Sequence, residues 1–173
     1  VPELIDAGID SFKIEGRMKT ALYVATVART YRKAIDDYLK DPKLYEANME
    51  WYKEEIGKCT YREFTTGFYF GKPTTDSQIY DSNTYVKNYT YLGTAEEVRE
   101  DGCCRIEQKN KFSVGEQIEI MKPDGRNVLV TVKGITDEDG NTMESAPHPK
   151  QVLWVDLGSE VSPYDILRRS EME

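Results

Sequence analysis

Ile9 to Glu15 (IDSFKIE) alternates apolar and polar residues as a strand does, yet the next strand-like run begins only at Tyr89. A strand without a partner leaves its backbone donors and acceptors unmet. What surrounds it is helical. Pro2-Glu3-Leu4-Ile5-Asp6-Ala7-Gly8 reads as the last turns of a helix stopped by glycine, and Thr20 is placed to cap the next one. In that second helix Val24, Val27, Ala28, Tyr31, Ile35, Tyr38 and Leu39 recur at three- and four-residue spacing, which predicts a core-facing stripe. Arg29, Lys33 and Asp37 fall on the other side and are expected to face solvent. A weaker helix is expected from about Tyr45 to Ile56, ending at Gly57. Helix, strand, short connection and helix make one unit of an α/β layer, so residues 1–40 are expected to be the final strand and helix of a larger α/β domain.

From Tyr89 the texture changes to all-β. Strand formers are separated by the turn signals Asp101-Gly102, Pro123-Asp124-Gly125 and Asp139-Gly140. Strands are expected at 89–99, 103–108, 116–121, 127–136, 142–145, 151–156 and 164–168, which fits a small closed or partly open barrel. Between the two textures, Thr65-Thr66-Gly67-Phe68-Tyr69-Phe70-Gly71-Lys72-Pro73 is aromatic and glycine-rich. With Phe64 it is expected to lie against its neighbours. The expected fold class is α+β: a strand–helix remnant of a TIM-like α/β barrel, a helical linker, and a small all-β barrel. The expected divisions are 1–57, 58–88 and 89–173.

Composition sets limits on function. The formal charge is −8, which weighs against nucleic acid as an independent partner. The imbalance lies downstream, because residues 1–40 hold seven basic and six acidic side chains. No window reaches the roughly 18 uninterrupted apolar residues of a membrane span. Val1-Pro2-Glu3 has neither the basic start nor the apolar core of a secretory leader, so a cytoplasmic location is expected. Three cysteines, two of them adjacent, make no disulfide framework. Neighbouring Cys103 and Cys104 would point to opposite faces of a strand, so buried free thiols are expected and no metal site. The single histidine, His148, sits between prolines and is given no role.

Two groups of residues can carry chemistry. Lys13, Glu15, Arg17 and Lys19 cluster at the strand-to-helix junction, where α/β barrels place their active-site rim. If Phe12 and Ile14 face the helices, Lys13 and Glu15 face inward, and Arg17 suits a carboxylate or phosphate. An internal Lys–Glu pair with a carbonyl-capping arginine fits the same residues. In the barrel, Tyr89 and Tyr91 (with Tyr85) and the basic residues Arg105, Lys109 and Lys111 form a candidate RNA or substrate surface. The competing reading has the tyrosines in the strand core and the lysines on solvated hairpin tips.

Ser11-Phe12-Lys13-Ile14-Glu15-Gly16-Arg17-Met18-Lys19, with Tyr23-Val24-Ala25 and Tyr31-Arg32, resembles the signature that closes the main domain of the peptidase U32 family. The 65–73 segment, Lys111-Phe112-Ser113-Val114-Gly115-Glu116 with Pro123-Asp124-Gly125, and Ile166-Leu167-Arg168-Arg169 resemble its C-terminal extension. The resemblance spans nearly the whole chain. It implies a C-terminal portion of a collagenase-like protease or of a protein that hydroxylates a pyrimidine in tRNA or rRNA. It also implies an iron–sulfur cluster held by cysteines upstream of this chain, with no cofactor in the chain itself. Lys13, Glu15, Arg17 and Lys19 are the active-site positions carried over. The expected partner is the family's catalytic domain, with RNA or a protein substrate beyond it and no membrane. Three readings follow: part of a hydrolase, an RNA-binding barrel, or an accessory barrel that presents substrate or stabilises the catalytic domain. Exposed edges and apolar helix surface are expected to favour self-association.

Overall fold

The computed structural model describes residues 1–61, 66–72 and 87–171. Four helices come first: α1 (Pro2–Asp6), α2 (Ala21–Lys40), α3 (Pro42–Ala47) and α4 (Met49–Ile56). Thr20 caps α2 as expected, its hydroxyl accepting from Tyr23 N–H at 3.2 Å. The single helix expected from Tyr45 is two, broken at Asn48. Asp41 caps α3, and the side chains of Asn48 and Tyr52 turn back to Asp37 on α2.

Eight antiparallel strands follow: β1 (Tyr89–Val98), β2 (Cys104–Glu107), β3 (Gln117–Met121), β4 (Asn127–Thr131), β5 (Gly134–Thr136), β6 (Thr142–Met143), β7 (Val152–Asp156) and β8 (Ile166–Ser170). Their order in the sheet is β4-β3-β8-β1-β2-β7-β5-β6. The sheet curls because two chain segments serve both of its sides. β1 pairs with β8 through its first half and with β2 through its second, with register shifts at Tyr91/Gly93 and Ala95/Glu97. Gly93 sits at the bend, where an added Cβ would lie 3.2 Å from the Glu107 carbonyl oxygen. The run expected as one strand, 127–136, splits into β4 on β3 and β5 on β7. Only Val132 and Lys133 separate them at that corner. Leu92, Ile106, Phe112, Ile118, Leu153 and Leu167 fill the space inside the curl. Fully burying each such side chain is worth about 1.5–3 kcal/mol.

Two expectations about the N-terminal part are corrected. Ile9–Glu15 forms no ladder: it is an extended strap running from α1 to α2, so the remnant of an α/β barrel is not seen as a strand. Its alternation is that of a strand, but no neighbouring strand is there to pair with it. The covered side of α2 also differs in part from the expected stripe, of which Val27 is buried and Ile35 and Tyr38 are half-buried. Arg29 and Asp37 are buried, whereas Val24, Ala28, Tyr31 and Leu39 are exposed, Leu39 at 64%. Periodicity marks a stripe but does not say which stripe is covered. The aromatics of the connecting segment differ too: Phe68, Tyr69 and Phe70 are exposed rather than packed on neighbours. Phe64 and Tyr85 lie outside the described residues.

α2 turns its charged side to the sheet because a buried ionic cluster awaits it there. Glu55 of α4 is 1% exposed, and its Oε1 accepts from the Arg29 and Arg168 guanidiniums, the latter at 2.7 Å. Its Oε2 accepts from Asn127 on β4 at 2.8 Å. Arg168 on β8 is fully buried, donates to Glu119 on β3 at 2.6 Å, and lies over the Tyr89 ring at 4.9 Å. Arg29 also donates to the Lys122 carbonyl at 2.8 Å. Removing one partner of such a cluster leaves buried charge uncompensated. Glu55→Ala is therefore expected to cost about 3–5 kcal/mol in urea unfolding. Lys53→Ala, which breaks the exposed pair with Glu50, is expected to change stability by under about 0.5 kcal/mol.

Candidate functional site

On the side of α2 away from the sheet lies a groove of about 1060 Å³. Leu4 and Ile5 of α1, the strap, and the outward apolar stripe of α2 form its walls. Lys13 and Glu15 line it. Arg17 and Lys19 sit on the exposed turn that follows. The Arg17 backbone N–H donates to Glu15 Oε1 at 3.0 Å, and the Lys19 ammonium lies 5.2 Å from the Tyr23 ring centroid. Among the described residues, Lys13 and Glu15 form no ion pair with each other. The four junction residues are thus side by side at the edge of an apolar trough, without a closed polar pocket around them.

The residues singled out on the sheet separate into two environments. Tyr89 is buried against Arg168 and Lys58, in line with the strand-core reading and not with the surface one. Tyr91 is half-buried beside Leu22, Met121 and Ile166, with its hydroxyl 2.8 Å from Thr94 Oγ1. Arg105 pairs with Glu96 and, at 3.7 Å, with Glu138, and Lys109 pairs with Glu107. Lys111 is exposed, and its carbonyl accepts from Arg169 at 3.1 Å. Tyr91 and Lys109 both line a hollow of about 390 Å³, together with Thr94, Ala95, Glu96, Glu107 and Tyr164. Sequence reasoning passed over Tyr164, which nothing in its local pattern sets apart from a strand residue.

The titratable groups that depart most from ordinary behaviour are structural. Burial alone would raise the Glu55 pKa, but Arg168, Arg29 and Lys58 together hold it below the usual carboxylate range. Asp37 is likewise held low: burial is outweighed by hydrogen bonds from Lys33, Tyr52 and Asn48. Burial pushes the Cys59 thiol up to about 11 and the Cys104 thiol up to about 12, so neither offers a thiolate. Among the described residues no three His, Cys, Asp or Glu side chains gather to hold a metal ion. No described helix is long and apolar enough to cross a membrane.

Comparison with known proteins accounts for both parts of the chain. Residues 1–79 match the model of "Peptidase family U32", and residues 87–168 match that of "Peptidase family U32 C-terminal domain". The chain belongs to peptidase family U32. One U32 relative, the "tRNA hydroxylation protein P1" of Bacillus subtilis, is 37% identical over 99% of this chain and 40% of its own length. The "tRNA hydroxylation protein P" of Escherichia coli is 31% identical over 98% of this chain and 37% of its own. A "Collagenase" of Porphyromonas gingivalis is 29% identical over 98% of this chain and 41% of its own. The chain thus spans about two fifths of the length of these relatives.

Because Glu55 and Asp37 titrate lower in the folded chain than unfolded, the unfolded state takes up protons first as pH falls. Their stabilisation is complete above about pH 5, beyond the ordinary carboxylate range. It is lost as pH falls through their folded pKa values. Urea midpoints measured from pH 7 downward are expected to stay level to about pH 5 and then drop. Asp37→Asn is expected to make that drop shallower.

Proposed function

We propose that this U32 chain is the C-terminal part of an RNA-hydroxylation protein, in which the curled sheet is an accessory module that receives RNA and braces a catalytic domain. The observation that carries this reading is the two-sidedness of α2. One flank is tied into the sheet by the Arg29–Glu55–Arg168 cluster, and the other presents exposed apolar side chains to a groove of about 1060 Å³. An apolar surface of that kind in a soluble protein marks an interface. The relatives extend well beyond the length matched here, and the additional chain is the natural occupant. Lys13, Glu15, Arg17 and Lys19 then stand at the seam, where a basic and an acidic group reach a substrate shared with the catalytic body. An iron–sulfur cluster, if the whole protein carries one, belongs to that body. The location expected for such a protein is the cytoplasm, where tRNA is found.

The names of the relatives favour tRNA as the substrate over collagen. The collagenase relative supports a second reading, that of a hydrolase, in which the same interface binds a protein substrate.

Two experiments separate these readings. Deleting the gene for the whole protein is expected to remove a hydroxylated pyrimidine from tRNA, read by mass spectrometry of nucleosides. A full complement of modified nucleosides, together with gelatin cleavage by the purified whole protein, would favour the hydrolase. For the interface, the 173-residue chain is expected to self-associate in sedimentation velocity at high concentration. Leu39→Asp, on the exposed stripe, is expected to shift it toward monomer. A monomeric unsubstituted chain would count against the open-groove interpretation.

A further inference from the structure

Tyr164 is held in a left-handed backbone conformation, φ 74°, that ring-bearing residues rarely adopt. Burial does not compensate it, because the residue is 79% exposed. The strain is imposed by its neighbours. Asp165 is fully buried, and its Oδ2 accepts from Lys122 Nζ at 2.6 Å and from the Ser162 N–H at 2.7 Å. Lys122 Nζ also donates to the Glu160 carbonyl at 2.8 Å. The Tyr164 N–H donates to the Ala95 carbonyl at 2.7 Å, and the Ala95 N–H donates to the Asp165 carbonyl at 2.8 Å. The backbone that carries the ring is therefore fixed, while the ring itself stands open to solvent. Strain that is over-determined by its surroundings without a packing reward is characteristic of a binding position.

The ring separates two hollows. One, of about 450 Å³, is apolar, with Met121, Pro123 and Ile166 in its wall and Arg32 at its edge. The other, of about 390 Å³, is polar and contains Tyr91, Thr94, Glu96, Glu107 and Lys109. Its charges are compensated locally, Glu107 by Lys109 and Glu96 by Arg105. The polar hollow thus offers carboxylate acceptors beside a flat aromatic face, without the excess positive charge that would mark it as a phosphate site.

The geometry points to Tyr164 as a stacking platform for one unpaired nucleobase, with Glu96 and Glu107 accepting from an exocyclic amino group. This rests on the RNA reading above and adds to it a residue and a preference. Stacking on an exposed aromatic ring is tolerant of base identity. Carboxylate acceptors select bases with amino donors, as they do for cytosine N4. Adenine and cytosine fit such a hollow, and uracil, which lacks the amino group, does not.

The test uses the whole 173-residue chain and 5′-labelled decamers of adenosine, cytidine or uridine, read by fluorescence anisotropy at low and moderate salt. The unsubstituted chain is expected to bind the adenosine and cytidine decamers more tightly than the uridine decamer. Tyr164→Phe is expected to retain binding. Tyr164→Ala and Tyr164→Gly are expected to weaken it roughly five- to hundredfold. Glycine adopts this φ freely, so Tyr164→Gly is expected to melt no lower than the unsubstituted chain, which separates loss of the ring from loss of the fold. Undiminished binding by Tyr164→Gly overturns the inference and leaves the RNA reading standing. Equal affinity for all three decamers overturns the role of Glu96 and Glu107. Failure of the unsubstituted chain to bind any decamer overturns the RNA reading and the inference together.

Discussion

Everything in this structure depends on one carboxylate, Glu55, which is shared by two buried guanidiniums from opposite ends of the chain. Arg29 comes from the long helix and Arg168 from the last strand, with Asn127 and Glu119 completing the set. Desolvating these charges is expensive, and their mutual attraction compensates only because nearly every donor and acceptor finds a partner. That requirement is geometric: α2, α4, β3, β4 and β8 must all be in place at once. A hydrophobic contact of similar size would tolerate sliding, and this cluster does not. It fixes the helices on the sheet in one orientation and so decides which side of α2 is left over.

The side left over lines the groove. With Arg29 and Asp37 committed inward, the stripe of Tyr31 and Leu39 can only face outward, and with the strap it forms the apolar groove. The junction residues Lys13 to Lys19 are positioned by the same choice, since the strap leads directly into the capped start of α2. Stability and interface are thus two consequences of a single orientation. The sheet domain contributes its own exposed feature at Tyr164, on the segment clamped by Lys122 and Asp165.

The strands were legible because turn chemistry and alternation act locally: Asp101-Gly102 and Pro123-Asp124-Gly125 stop the chain wherever it happens to fold. The split of 127–136 at Val132 was not, because a strand that changes partners keeps its alternation throughout. The α2 periodicity placed Val27 in the core but did not show that Arg29 and Asp37 are buried beside it. A run with both an apolar and a charged stripe does not reveal that a carboxylate 26 residues on and an arginine on the final strand will compensate the charges. Whether Tyr89 belonged to the strand core or to a surface stayed open for the same reason, since its cover comes from Arg168 and Lys58. Tyr91 and Lys109 were singled out by residue type, and both line the 390 Å³ hollow. Tyr164 was missed because its backbone conformation is set by a buried ion pair remote in sequence. Ile9–Glu15 reads as a strand and is extended, but pairing is a property of neighbours and cannot be read from the segment itself.

The place of β8 in the sheet has an implication for synthesis. It comes after the other seven described strands in sequence, yet it lies between β1 and β3, and Glu55 must wait for a residue 113 positions later. As the chain leaves the ribosome, the inward-turned charges of α2 and α4 remain hydrated, and two strand edges stay open until the C-terminal residues emerge. Closure of the sheet therefore waits on β8, whose partners β1 and β3 both precede it in the chain.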